Sequence, residues 1–244
     1  MTNLPNGSHP VVGFLGGTRP SRLWIAALLL VAAVLIVLVA FFADAVLKGE
    51  GSNFDQGLLM AFRSGGDPAN PIGPAWVEGV GRDITSLGSV AFLGVVSVAT
   101  AGFLLIIQRR NYALQLATAV IGGVLISKTI KAAFDLPRQS TPHIVPAFTE
   151  SFPSGHAMLS AITFLTLGTL VARVSKKPDV KICVLSLAAL LTLMVGCSRV
   201  YLGIHYPTDV LAGWSVGIGW TILCWFGFRW LEQLSKRKTT VLGP

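Results

Sequence analysis

Charge is what this sequence has least of. Only 12% of its 244 side chains are Asp, Glu, Lys or Arg, against 52% hydrophobic, where an ordinary soluble domain carries about 25% charged residues. That scarcity excludes the soluble globular class and points to an integral membrane protein. Acidic residues are the rarer sign, 11 against 19 basic, and the net charge of +8 could suggest nucleic acid. The basic residues fall mostly at the ends of apolar runs, however, as membrane topology signals do, so no nucleic-acid partner is expected. Cysteine is scarce too. Cys183, Cys197 and Cys224 all lie in apolar runs without metal-ligand spacing, which assigns them to packing and leaves no metal or cofactor expected. With no Ser/Pro/Gly-rich linker and no internal repeat, residues 1–244 are expected to form a single membrane domain.

What is present is a set of long apolar runs. A helix needs about 20 apolar residues, at ~1.5 Å each, to cross roughly 30 Å of hydrocarbon. Six stretches qualify or nearly do, at about 22–43, 85–107, 112–131, 155–173, 182–201 and 207–230. They predict an all-α fold, an integral membrane bundle of six transmembrane helices. Arg19 and Arg22 before the first stretch and Ala43-Asp44-Ala45 after it resemble a signal peptide. Its apolar core exceeds the roughly 7–15 residues typical of signals, so it is read as a span.

Orientation follows from Lys and Arg. Arg19 and Arg22 precede span 1, and Arg109 and Arg110 link spans 2 and 3. Arg173, Lys176, Lys177 and Lys181 link spans 4 and 5, and Arg229, Lys236, Arg237 and Lys238 follow span 6. With six spans these sites share one side, so both termini are expected to be cytoplasmic. The outer face takes 44–84, 132–154 and 202–206 and collects most of the acidic residues. In the outer loop 44–84, Asn53 and Gln56 read as a capping box, and Phe54, Leu58, Ala61 and Phe62 fall on one helical face. That pattern predicts a short interfacial helix.

Three segments then converge on the outer face: KAAFDLPR at 131–138, FPSGH at 152–156 and SRVYLGIHYPTD at 198–209. Lys131, Arg138 and Arg199 would bring three positive charges together, which is unfavourable unless an anion neutralises them. Phosphate is the obvious anion, because arginine offers it planar bidentate donors and lysine a point charge. Ser154 and Gly155 open span 4, where free N–H groups and the positive end of the helix dipole face outward. Gly155 lets the backbone approach a ligand, and Ser154 can cap or donate. His205 and Asp209 are four apart at the start of span 6 and should share a helical face. An aspartate holding one ring nitrogen leaves the other as a nucleophile. His156 is then the better candidate for general acid, although spacing alone does not forbid exchanging the two roles.

In this order the residues resemble the type 2 phosphatidic acid phosphatase superfamily, whose pattern is Lys-x6-Arg-Pro, Pro-Ser-Gly-His and Ser-Arg-x5-His-x3-Asp. Lys131 and Arg138 match the first motif, residues 153–156 the second, and Ser198, Arg199, His205 and Asp209 the third. One position departs, Gln139 standing where the family usually has proline. The resemblance covers about residues 85–230, which would be the catalytic core. It implies a metal-independent phosphatase in which His205 attacks phosphorus, Asp209 orients it and His156 protonates the leaving oxygen. It also implies Lys131, Arg138, Arg199 and the Ser154-Gly155 segment as the phosphate cradle.

The function expected is hydrolysis of a membrane lipid phosphate or diphosphate at the outer face. Phosphatidic acid, phosphatidylglycerol phosphate, an isoprenyl diphosphate such as undecaprenyl diphosphate, and a lipid A phosphate all share the group these motifs would read. Phosphotransfer to a second lipid, and an anion transporter without chemistry, are the rival expectations. By analogy the location is a bacterial inner membrane with a periplasmic site.

Overall fold

In the computed structural model residues 52–65, 67–133 and 152–241 are described, with scattered helical positions between 30 and 44. Most of the predicted span 22–43 lies outside them, as does the loop with Arg138, Gln139, His143 and Glu150. The described chain runs α1 (Ser52–Ala61), β1 (Arg63–Ser64), β2 (Asp67–Pro71), α2 (Ala75–Ser86), α3 (Val90–Ile106), α4 (Arg110–Ala133), α5 (Gly155–Val174), α6 (Pro178–Tyr201) and α7 (Pro207–Val241). Among the described residues four helices are long and apolar enough to cross a membrane: α4, α5, α6 and α7 over Pro207–Gln233. The pair α2 and α3, bent by 47° at the break between them, makes a fifth when counted as one broken span.

The described chain is mostly helical, as expected, with one small antiparallel hairpin, β1 and β2, pairing Arg63 with Pro71 and Ser64 with Asp67. Strands this short carry no period that a sequence pattern could show. One expectation needs correcting, because the predicted span 85–107 is interrupted. Turns from Ile84, Thr85 and Ser86 close α2, and Ser89 caps α3 by accepting from the Phe92 N–H at 3.2 Å. Gly88 sits in this break because a Cβ there would run into Val195 and lie 3.3 Å from His156 Cβ and Cδ2.

The central helix is α5, buried along most of its length and packed by α4, α6 and α7. Hydrocarbon chains are as apolar as leucine, so close packing and hydrogen bonds, more than apolar burial, must join such helices. Gly213 and Gly217 supply that closeness on α7. A Cβ at either would stand 2.6 Å from the carbonyl oxygen of Ser154 or Met158 on the α5 side. Trp214 donates its indole N–H to Thr192 O at 3.2 Å, and Trp220 donates to Ala119 O at 2.8 Å, tying α7 to α6 and α4. The main core gathers Leu93, Met158, Ile162, Val195 and Cys224. Packing thus accounts for Cys224, whereas Cys183 and Cys197 are exposed on the outer surface of α6. Val95, Val98 and Ile106 of α3, Ile121 and Leu125 of α4, and Ile182 and Leu190 of α6 are exposed as well, an inside-out pattern that water would not tolerate and acyl chains cover.

Candidate active site

The FPSGH segment becomes the start of α5. Ser154 is its N-cap, with an extended backbone and its hydroxyl accepting from the Ala157 N–H at 3.5 Å. The preceding Phe152–Pro153 peptide is cis. The first-turn N–H groups of a helix have no intrahelical acceptor, so this end carries partial positive charge. Gly155 keeps it open: a Cβ would lie 3.4 Å from Lys131 Nζ and 3.7 Å from Ser127 Oγ. Lys131, in the last turn of α4, therefore stands against the start of α5.

SRVYLGIHYPTD spans the end of α6, a turn and the start of α7. Helix α6 closes with Leu202 N–H on Ser198 O, after which Gly203, at φ +71°, reverses the chain. Ile204 and His205 then donate their N–H groups to Arg199 O at 3.0 and 3.2 Å. His205 precedes α7 rather than lying on its face, yet the predicted pairing forms: Nδ1 faces Asp209 Oδ2 at 3.4 Å. The same oxygen accepts the Tyr206 N–H at 3.1 Å, so Asp209 also caps its own helix. Both residues are buried, His205 to 1% exposure, and so is Arg199. An acceptor at Nδ1 favours the tautomer whose lone pair is on Nε2, the nucleophilic form.

The two segments are bonded directly, since Ser154 donates its N–H to Asp209 O at 3.0 Å. Lys131, Ser154, Gly155, Arg199, His205 and Asp209 thus belong to one end of the bundle, with His156 on the first turn of α5. His156 is partly exposed and rests beside the Gly88 bend. Arg138 lies outside the described residues. Among the described residues, no group of three or more His, Cys, Asp or Glu is placed to hold a metal ion. Lys128 is exposed, in keeping with an interfacial anchor.

Two residues at this end escaped the sequence reading. Asp55 of α1 accepts the Thr208 N–H at 2.9 Å and the Thr208 hydroxyl at 2.6 Å. Arg63 of β1 donates to Tyr201 O at 3.1 Å and Val200 O at 3.4 Å. Burial pulls the Arg63 guanidinium below its usual range, opposed by the nearby Tyr201 and Glu78. It remains a cation, since arginine does not lose its proton in proteins. The signal was there: Arg63 is a basic residue in the acid-rich segment 44–84, and Asp55 lies off the Phe54-Leu58 stripe of α1.

Known proteins resemble this chain in both sequence and fold. The profile of the PAP2 superfamily matches residues 112–232. Phosphatidylglycerophosphatase B of Bacillus subtilis is 32% identical over 165 residues, covering 66% of this chain and 78% of its own. A lipid A 1-phosphatase of Rhizobium etli is 29% identical over 171 residues, covering 60% and 69%. Among solved structures, the transmembrane PAP2-type phosphatidylglycerolphosphate phosphatase from Bacillus subtilis superposes with a TM-score of 0.68 at 26% identity, over 81% of this chain and 94% of that one. Aquifex aeolicus LpxE shares the fold at a TM-score of 0.54 and 20% identity, over 71% and 95%.

Proposed function

The chain belongs to the PAP2 superfamily and is a multi-pass membrane lipid phosphatase, and from that premise we propose how and where it acts. His205 Nε2 attacks phosphorus, forming a P–N bond as the P–O bond to the lipid breaks. His156 gives its proton to the departing lipid oxygen. Water then attacks phosphorus with His156 as base, the P–N bond breaks, and inorganic phosphate leaves. Asp209 orients His205 and stabilises the positive charge that the ring gains. Lys131, Arg199 and the N–H groups at the start of α5 hold the phosphoryl oxygens, joined by Arg138, and favour the charge that develops on them. No step in this route uses a metal.

The observation that carries this reading is the buried His205–Asp209 contact, bonded through Asp209 O to the capped start of α5 beside Lys131. The substrate is a lipid phosphate or diphosphate, with phosphatidylglycerol phosphate and a lipid A phosphate favoured by the names of the relatives. A site at the end of the spans suits a headgroup at the membrane edge whose tails never leave the bilayer. In the proposed topology six spans put both termini in the cytoplasm, α1 lies in the interface, and the site opens on the outer, periplasmic side of a bacterial inner membrane.

The test is phosphate release by the purified protein in detergent, with chelator present, from a panel of lipid phosphates and diphosphates. Release that persists in chelator and disappears in His205→Ala is expected, and the ranking of the panel identifies the substrate. Release by His205→Ala at the wild-type rate would overturn the mechanism.

A further inference from the structure

Helix α1 has two unlike faces. Phe54 and Leu58 point away from the protein, 55% and 40% exposed, whereas Asp55 and Leu59, one turn apart, are 4% and 1% exposed. The inward pair meets the turn that carries His205. Leu59 packs with Ala157, Val200 and Val210, residues drawn from α5, α6 and α7. Asp55 takes both donors of Thr208, the second residue of α7. That N–H is one of the orphan donors of a helix start, and a carboxylate there is favoured by the dipole.

The other end of the same turn is held from β1. Arg63 donates to Val200 O and Tyr201 O, the last carbonyls of α6, where orphan acceptors and the negative end of the dipole favour a cation. The guanidinium occupies the space over Gly203: a Cβ there would collide with Nη2 and lie 2.9 Å from Cζ. Residues 202–206, with His205 among them, are therefore fastened at both ends by one outer segment more than 130 positions away in sequence, at separations of 137, 138 and 153.

We propose that Asp55 and Arg63 are positioning residues for His205: by fixing the start of α7 and the end of α6 they hold the imidazole at the angle and distance from which Nε2 reaches phosphorus. This rests on His205 being the nucleophile. Neither residue touches the phosphate. Their contribution is orientation, for which a displacement of about 1 Å can cost roughly 100-fold in rate.

Two inhibitors separate orientation from simple structural support. Inorganic phosphate needs only the cradle of Lys131, Arg199 and the α5 start. Orthovanadate reaches the five-coordinate geometry of the transition state only if the attacking nitrogen is in line, so its affinity follows transition-state fit. The experiment uses full-length protein in detergent micelles with phosphatidylglycerol phosphate as substrate, comparing Asp55→Ala, Asp55→Asn, Arg63→Met and His205→Ala. Asp55→Ala and Arg63→Met are expected to lower kcat about 10- to 100-fold and to weaken vanadate by a similar factor, with phosphate inhibition held within about twofold. Asp55→Asn keeps an acceptor for Thr208 and should recover part of both losses. If Asp55→Ala does not fold, Asp55→Asn and Arg63→Met carry the same comparison. Vanadate inhibition at the wild-type level in the folded Asp55 and Arg63 variants, with His205→Ala inactive, overturns the positioning role alone. Activity in His205→Ala overturns the mechanism and the positioning role together.

Discussion

Arg173 and Arg199 stand at opposite ends of the same bundle and are used differently. Arg173, on α5, donates to Gln115 at 3.1 Å and to Glu232 at 2.6 Å, and its guanidinium lies 4.8 Å from the centre of the Tyr112 ring. One side chain so joins α4, α5 and α7, and an acid of the chain itself neutralises its charge. At the other end Lys131 Nζ stands against the start of α5, Arg199 is buried at the end of α6, and the motif carboxylate, Asp209, is turned toward His205 and the Tyr206 N–H. On the proposed mechanism the cations at this end receive the phosphate, whereas Arg173 ties three helices together.

That contrast can be broken at either end. The largest effect is expected at the site. Asp209→Asn keeps an acceptor for the Tyr206 N–H but removes the charge facing His205, and should lower kcat about 10²- to 10⁴-fold in a phosphate-release assay. A smaller effect comes from crowding the cradle. In Gly155→Ala the new methyl would sit in van der Waals contact with Lys131 Nζ at 3.4 Å, filling space that a phosphate oxygen would take beside the ammonium, and should weaken inhibition by inorganic phosphate about tenfold. The smallest change in turnover is expected at the far end. Arg173→Ala should leave kcat within about twofold while costing about 1–3 kcal/mol of stability, read as a lower Tm in detergent. A large loss of turnover in Arg173→Ala would erase the distinction between the two ends.

Parts of this molecule were legible because their signals are local. The start of α5 falls at the residue the sequence indicated, since a Ser cap before a Gly and an apolar run is a self-contained instruction, and the four-residue spacing of His205 and Asp209 brought them into contact. The break between α2 and α3 was not legible. Thr85, Ser86, Leu87 and Gly88 lead straight into the apolar run from Val90 and read as its start, and what demands a glycine at 88 is Val195 and His156 on other helices. Asp55 and Arg63 were missed for the same reason, since their meaning lies in carbonyls and donors on α6 and α7. Phe54, Leu58 and Ala61, read from the sequence with Phe62 as one helical face, are exposed on α1, but what Asp55 and Leu59 meet on its inward side, the His205 turn, is set by α6 and α7.

The two exposed cysteines of α6 give the protein a built-in ruler. Cys183 lies near the first turn of the helix and Cys197 near its last, about 21 Å apart along the axis at ~1.5 Å per residue, while Cys224 is hidden in the core. A thiol reacts through its thiolate, which forms only where water reaches it, so both cysteines, facing acyl chains, should label slowly in the bilayer. Faster reaction at either one would report that its end of α6 had come nearer the aqueous surface.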